Sequence, residues 1–398
     1  MAANVPREAI AWIFDNLNER PFGILPLANL NQKGGPTVLE NYDQVGSYNW
    51  LLDESNDDAK PTLVIPGAPR KLQAWNGGRL NKDTGPILYD VNHLMSPKAP
   101  LDPVFLTLKS ISESEKTQFD FQQFDLITDA INLVKLFAFA KGAGGGMFRI
   151  DFERLGRTII ATRVEAADVV PIDFVSYDLS FRDKCAQPPG QKLLDGPYQQ
   201  LSKYQLGQLK LLVRFEPECA DYSKISIDID KKESIDSNPC DLNKELQNVN
   251  FGQRHQHYEL LTTIAFPQSD GFPDFTYSKL FFTGIDRLLL GSWRGPGDFS
   301  QPKSYTMSDM IKVIKPQQAY NQISKVYDCL NKVINLLRKN PEALRISLVW
   351  TGSDFLEIYE KISADIQNTV SPAVRAYLKT QVTEQMPGDI DELDNVDN

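Results

Sequence analysis

The sequence has few of the features that mark membrane, secreted or zinc-stabilised proteins. No stretch of its 398 residues approaches the roughly 18 uninterrupted apolar residues of a membrane-spanning helix, and no basic flank with an apolar run opens it. We therefore expect neither a membrane span nor a secretory signal. The four cysteines are scattered without a Cys-x-x-Cys pair, which argues against a disulfide framework or a structural zinc site. This cysteine usage favours a reducing intracellular compartment, the nucleus or the cytoplasm.

Positive charge is also in short supply. The chain has 42 Lys and Arg against 52 Asp and Glu, and its formal net charge of −10 argues against broad, charge-driven binding to nucleic acid. Six of the acids lie between Glu384 and Asn398, where there is no Lys or Arg and little that could be buried. We therefore predict an acidic disordered tail at 383–398. Nucleic-acid binding would have to depend on a local basic groove.

What the chain does contain is the composition of a globular protein, 41% hydrophobic and 10% aromatic, with clear apolar periodicity. Apolar and polar patterns predict helices and strands along most of it. The predicted helices are Arg7–Leu17, Thr128–Phe139, Thr276–Phe282 and Gln317–Leu337, and the predicted strands are Thr62–Gly67, Phe148–Phe152, Thr158–Glu165, Leu209–Phe215, His257–Phe266, Arg287–Trp293, Leu344–Trp350 and Phe355–Ile362. Two polar stretches, Gly77–Pro103 and Asp228–Asn250, are interpreted as loop and surface insertion.

This pattern predicts a single elaborated domain of the α/β (α+β) class, with a central mixed β-sheet flanked by helices. We find no internal repeat and no linker. We divide the chain into a loop-rich N-terminal extension at 1–120 that packs on the core, a core at 121–382, and the acidic tail at 383–398.

Two acidic segments carry the chemical information. Glu216 and Glu218 follow an apolar strand, and Glu259 lies in the next strongly predicted strand. Together they are similar to the metal-binding half of a PD-(D/E)xK-type nuclease core, in which an E-x-D and an E-x-K strand lie side by side. Leu261 stands where the E-x-K pattern requires lysine. The pattern therefore indicates a nuclease-like fold with altered chemistry.

The order of elements resembles the DXO-type decapping exonuclease family over about residues 120 to 300, and it is closest to fungal relatives with a degenerate active site. The resemblance rests on FDLITDAINLVKL from Phe124, TIIATRVEA from Thr158, the two acidic segments, and LLLGSWRGPGDF from Leu288. It implies removal of incomplete caps or triphosphates from RNA 5′ ends, with Mg²⁺ or Mn²⁺ held by glutamate and aspartate oxygens.

When the metal site implied by the resemblance is matched to this sequence position by position, the site is incomplete. Glu216, Glu218 and Glu259 match three of the family's acids, with Glu218 replacing the usual Asp. Leu261 replaces the lysine that orients the attacking water. Arg182 occupies the place of a helical glutamate, for which Asp178 or Asp183 could substitute. Loss of a preorganised cation typically costs roughly 100- to 1000-fold in rate.

Cationic and aromatic residues near the inferred cleft offer contacts for RNA. Arg163, Arg182 and Arg214 would make the cleft cationic without a metal if they point inward, an arrangement suited to phosphate. Trp293 and Arg294 could stack on bases or contact phosphate, although Trp293 is equally compatible with the core.

The leading hypothesis is a catalytically impaired relative of RNA 5′-end decapping exonucleases, a pseudoenzyme that binds RNA 5′ ends or a protein partner. The resemblance implies a 5′–3′ exonuclease as one such partner. One alternative is an active Mg²⁺- or Mn²⁺-dependent RNA 5′-end hydrolase that uses Glu216, Glu218 and Glu259. Another is an interaction or scaffold protein with no nucleic-acid role, which the acidic net charge favours.

Overall fold

The computed structural model describes residues 7–51, 60–142, 146–172, 175–190, 192–224, 237–250, 258, 261–265, 274–341, 344–362 and 369–384. The strands are β1 (Gly23–Pro26), β2 (Glu40–Leu51), β3 (Thr62–Ile65), β4 (Lys71–Leu72), β5 (Gly77–Arg79), β6 (Pro86–Leu88), β7 (Leu126–Asp129), β8 (Phe148–Leu155), β9 (Thr158–Val164), β10 (Val169–Pro171), β11 (Ala186–Gln187), β12 (Tyr198–Leu206), β13 (Leu209–Phe215), β14 (Cys219–Ala220), β15 (Ser237–Cys240), β16 (Asn243–Asn250), β17 (Leu261–Ala265), β18 (Arg287–Leu290), β19 (Trp293–Gly295), β20 (Asp298–Ser300), β21 (Lys303–Thr306), β22 (Arg345–Trp350) and β23 (Phe355–Glu360). The α-helices are α1 (Val91–Met95), α2 (Asp102–Ser114), α3 (Ala130–Lys141), α4 (Asp178–Cys185), α5 (Asp274–Thr283), α6 (Met307–Val313), α7 (Pro316–Lys339) and α8 (Pro372–Glu384), and 3₁₀ helices lie at Arg7–Phe14, Leu27–Asn29, Phe121–Gln123, Lys192–Leu194 and Tyr222–Lys224.

A large mixed sheet forms the centre of the fold, as the sequence predicted. Its strand order is β1-β23-β22-β8-β9-β7-β13-β12-β2-β3-β16-β15. Strand β7 lies parallel to both β9 and β13, with Leu126 opposite Ile159 on one side and Leu211 on the other. Most other pairs are antiparallel, including β12 with β13 and β8 with β22.

Helices cover both faces of this sheet because its central strands are apolar on both sides. Leu126 belongs to the core under α3, α5 and α7, whereas the next residue, Ile127, belongs to the core under α2 and α8. Helix α7 buries one stripe at helical spacing, and Pro316 starts it at a position where proline needs no hydrogen-bond donor. Among the described residues, no helix is long and apolar enough to cross a membrane.

A second, smaller sheet carries the acidic segment away from the large one. Its order is β11-β4-β14-β17-β18-β21. Strand β13 ends in the large sheet at Phe215, and after Glu216, Pro217 and Glu218 the chain enters the second sheet as β14. The two predicted acids on this segment therefore lie at the junction between the sheets.

Most predicted elements are present. The predicted helix Arg7–Leu17 is a 3₁₀ helix that ends at Phe14, the predicted strand Arg287–Trp293 is divided into β18 and β19, and three further stretches differ. The helix predicted from Thr128 begins as strand β7, and α3 starts at Ala130. The stretch predicted as loop, Gly77–Pro103, contains β5, β6, α1 and the start of α2. Part of the predicted surface insertion forms β15 and β16, which extend the large sheet beside β3. The four cysteines are buried and free.

Candidate functional site

Glu218 is held at the sheet junction by neighbours on both sides. Its backbone N–H donates to the carbonyl of Thr262 in β17 at 3.1 Å. Its side chain is only 7% exposed, and one carboxylate oxygen accepts a hydrogen bond from the backbone N–H of Ile264 at 3.2 Å. The preceding proline, Pro217, is buried and separates Glu218 from Glu216.

Two cations compensate the charge of Glu218. The Lys279 ammonium on α5 donates to Oε1 at 2.7 Å, and the Arg182 guanidinium on α4 lies 3.6 Å from the same oxygen. Burial alone would raise the pKa of Glu218, but Lys279 and then Arg182 outweigh it and hold the pKa below its ordinary value. Glu218 is therefore ionised and paired near neutral pH.

Arg182 links this pair to a second acid. Its guanidinium lies 2.9 Å from Asp178, one helical turn earlier on α4. Burial, only partly offset by Arg182, raises the pKa of the Asp178 carboxyl. Nε of Arg182 is buried and has no hydrogen-bond partner among the residues that the structure describes.

Glu216 completes what we call the carboxylate–cation cluster: Asp178, Arg182, Glu216, Glu218 and Lys279. Glu216 is exposed as a residue, and its partly buried carboxylate accepts a 3.4 Å hydrogen bond from the amide of Gln199. Removal of water by the surrounding protein and then the charge of Glu218 raise its pKa. The cluster thus holds three acids and two cations, with Glu216 as its solvent-facing acid.

Two further positions belong to the predicted metal site, Glu259 and Leu261. Glu259 lies outside the described residues. Leu261 is 3% exposed and packs in the main core, opposite Ala220 of β14. The cation that does reach Glu218, Lys279, was not predicted. Its signal in the sequence is that it is the only charged residue between Asp274 and Asp286.

Two of the predicted RNA-binding arginines are occupied by other partners. Arg214 is 1% exposed and its guanidinium is fully engaged, mainly by Asp129 at 2.6 and 3.0 Å. This burial corrects its assignment to the cleft wall, because no guanidinium surface is left for phosphate. Arg163 is 13% exposed and pairs with Asp90 at 2.7 Å and with Glu165 at 3.6 Å. The positive charge of Arg163 is likewise neutralised by carboxylates of the protein itself.

The remaining two predicted RNA contacts lie near the second sheet. The backbone of Trp293 starts the short strand β19, and its side chain lies outside the described part of the chain. Arg294 is exposed beside it. Only Arg182, of the arginines predicted to contact RNA, belongs to the carboxylate–cation cluster.

Comparison with known proteins identifies the fold. Residues 33–259 match a family model described as "Domain of unknown function (DUF8563)". A search of curated proteins found no match. Among solved structures, S. pombe Rai1 aligns with a TM-score of 0.57 at 12% identity, covering 85% of this chain and 99% of that chain.

Two further similar structures contain bound ligands. Candida albicans Rai1 in complex with pU5-Mn²⁺ aligns with a TM-score of 0.54 at 10% identity, covering 90% of this chain and 99% of that one. Scheffersomyces stipitis Rai1 in complex with (3′-NADP)⁺ and calcium ion aligns at 0.53 and 10% identity, covering 91% and 100%. This likeness establishes the fold, which is that of the DXO-type family the sequence resembles.

The manganese and calcium in those structures pose the question of whether this cluster fits a divalent ion. The five residues of the carboxylate–cation cluster do not fit such an ion. Glu218 already shares its oxygens with Lys279, Arg182 and the N–H of Ile264. Mg²⁺ and Mn²⁺ require several free oxygen ligands, and two fixed cations repel a third. Among the residues the structure describes, no three His, Cys, Asp or Glu side chains converge as a ligand set.

Proposed function

The chain belongs to the family described as "Domain of unknown function (DUF8563)", and we propose that it is a catalytically impaired, nuclease-like protein that binds RNA 5′ ends without metal-dependent hydrolysis. The observation that carries this proposal is the 2.7 Å ion pair between Lys279 and Glu218. An internal ammonium there competes directly with any metal for the carboxylate.

The electrostatics favour the internal cations over a metal ion. Glu218 is 7% exposed, so its pairs with Lys279 and Arg182 are only weakly screened by water. A divalent ion at Glu218 would have to displace Lys279 and leave its ammonium beside the metal charge. A second group that hydrolysis would need is also missing, because position 261 is leucine and not the lysine that would orient the attacking water.

The two cations also retain donors for a phosphate. The side chains of Lys279 and Arg182 are 28% and 36% exposed, so each presents a face to solvent. An ammonium has three donors and a guanidinium has five, so the ion pairs with Glu218 and Asp178 do not use all of them. Phosphate oxygens accept strong hydrogen bonds from such groups. A 5′-phosphate of RNA would therefore bind over Lys279 and Arg182, away from the carboxylate of Glu216.

A hydrolysis assay tests the impairment. The protein is incubated with 5′-triphosphate RNA and with RNA carrying an unmethylated cap, each in Mn²⁺ and in Mg²⁺, and released products are resolved chromatographically. We expect no release above buffer. Release that disappears in both Glu216→Ala and Glu259→Ala would instead establish a working metal-dependent hydrolase and overturn the proposal.

A binding assay tests the RNA role. A short oligoribonucleotide with a 5′-monophosphate is compared with its 5′-hydroxyl counterpart by fluorescence anisotropy in EDTA. We expect tighter binding of the phosphorylated RNA, and a loss of roughly 10- to 100-fold in Lys279→Ala and in Arg182→Ala, from the removal of one charge-assisted contact. Lys303→Ala, an exposed lysine on β21 of the same sheet, is the matched control.

Two results would contradict the RNA role. If the 5′-phosphate contributes nothing, or if Lys303→Ala weakens binding as much as Lys279→Ala, the cluster is not the phosphate site. Absence of both binding and hydrolysis would leave an interaction protein.

A further inference from the structure

A cavity of about 500 Å³ opens next to the carboxylate–cation cluster, on another side of α5. Its walls come from β2, β17, α5, α6 and α7, and they are mainly aromatic and aliphatic. The aromatic rings are those of Tyr42, Tyr258, Tyr277, Phe281 and Tyr320. A concave, largely apolar site of this size is typical of the pockets that bind small molecules.

Several polar groups in the wall have partners within the protein. The amide of Gln44 donates to the carbonyl of Tyr258 and accepts from its N–H, both at 2.9 Å. The Tyr42 hydroxyl donates to the carbonyl of Thr283 and accepts from the Ser202 hydroxyl, both at 3.0 Å. These hydrogen bonds help to fix the positions of the walls, and they leave the two groups with little hydrogen-bonding capacity for a ligand.

Asp286 differs from the other lining residues in carrying a charge. Within the described part of the chain it is the only charged side chain that lines the cavity, it is exposed, and no hydrogen bond or ion pair to it occurs. Partial burial raises the pKa of its carboxyl. Burial and then the charge of Asp286 raise the pKa of Tyr42, which indicates that this charge lies close to the aromatic wall. A negative group without a counter-charge beside aromatic rings is complementary to a cation.

We propose that this cavity binds a small organic amine, with its apolar body among the aromatic and aliphatic walls and its ammonium group beside Asp286. Apolar burial supplies most of the affinity, and the carboxylate selects the cation. Neither Lys279 nor Arg182 lines the cavity, so this site is separate from the proposed RNA site and its test does not depend on that proposal.

Three probes with the same phenylbutyl body test the selectivity: 4-phenylbutylamine, 4-phenylbutanol and 5-phenylpentanoate, titrated into the 398-residue protein by calorimetry. We expect the amine to bind at least about 10-fold more tightly than the alcohol, as one charge-assisted contact would give, and the carboxylate not to bind. Asp286→Asn should reduce amine affinity to that of the alcohol. Asp298→Asn, an exposed acid on β20, is the matched control.

A pair of substitutions on α6 tests the location. Ile311 lines the cavity, whereas Val313 on the same short helix is 63% exposed and does not. We expect Ile311→Trp to abolish amine binding and Val313→Trp to leave it unchanged, with folding checked by circular dichroism. Met307→Trp, from another lining position on α6, replaces Ile311→Trp if that variant does not fold.

Equal binding of all three probes would mean hydrophobic partition only and would overturn the proposal. So would amine binding that survives Asp286→Asn, or that persists when Ile311 or Met307 is enlarged. Failure of the amine to bind at all would have the same consequence.

Discussion

Replacing Arg214 by methionine should cost the protein much of its stability. The guanidinium is 1% exposed and donates to both oxygens of Asp129, to the carbonyl of Pro100 at 2.7 Å and to the hydroxyl of Tyr48 at 3.2 Å. Without it, the buried carboxylate of Asp129 loses its main partner. Removing one member of a buried ion pair typically costs about 3–5 kcal/mol.

Urea unfolding followed by tryptophan fluorescence measures this loss. With a denaturant dependence of about 3 kcal/mol per molar, a loss of about 3–5 kcal/mol lowers the unfolding midpoint by about 1–1.7 M. Arg79→Met, at an exposed position on β5, is the control and should change the unfolding free energy by no more than about 0.5 kcal/mol.

RNA binding gives the complementary measurement. At temperatures where Arg214→Met remains folded, its affinity for 5′-phosphorylated RNA should equal that of the unmodified protein. A variant of nearly normal stability that has lost RNA binding would refute this reasoning and return Arg214 to the cleft.

Two further predictions concern buried positions. The Asp102 carboxyl is fully buried, and burial raises its pKa to about 6, so the folded state binds this proton more tightly than the unfolded state, where the pKa is about 3.8. Between pH 4.5 and 7.5 the stability of the unmodified protein should therefore fall relative to Asp102→Asn by an amount on the order of 2–3 kcal/mol, and a pH-independent difference in urea unfolding would contradict the raised pKa. Gly67 packs so tightly that a Cβ would lie 2.4 Å from the carbonyl carbon of Tyr48, so Gly67→Ala should destabilise by about 1–3 kcal/mol in the same assay. Gly295→Ala, where the added methyl meets nothing within 4 Å, is its control, and equal effects of the two would show that the close approach is relieved without cost.

The elements predicted correctly from the sequence are those whose apolar periodicity is compatible with only one type of secondary structure. Helix α7 has a clean stripe at helical spacing, and the hairpin of β22 and β23 turns at Gly352. Strand β7 was missed because Leu126 and Ile127 are buried on opposite faces of the sheet. Their continuous apolar run joins the pattern of α3 directly, and periodicity alone does not separate a doubly buried strand from a helix.

Helix α2 was missed for a different reason. Pro103 follows its first residue, Asp102, and proline there was taken as part of a loop, although the first turn of a helix tolerates it. Nearly all of the helix is buried, including the polar residues Thr107, Ser110 and Ser112.

The candidate site shows the limit of reasoning from a motif along one strand. The sequence placed Glu216 and Glu218 at the end of a strand, and the structure places them at the junction of two sheets. The missing lysine was sought at Leu261, two residues after an acid. The cation that meets Glu218 is Lys279, on a helix whose packing against the sheet is set by tertiary contacts. No spacing rule connects those two positions.

The proposed replacement of metal by internal cations has an evolutionary consequence. Glu218 on the sheet junction, Arg182 on α4 and Lys279 on α5 depend on one another for charge balance. A single substitution that removes Arg182 or Lys279 leaves the buried carboxylate of Glu218 without part of its compensating charge. Such a variant would lose stability before a metal ion could replace the missing cation. A return to metal-dependent chemistry would therefore need coordinated changes in separate parts of the chain, so single substitutions would not reverse the proposed loss of the metal ion.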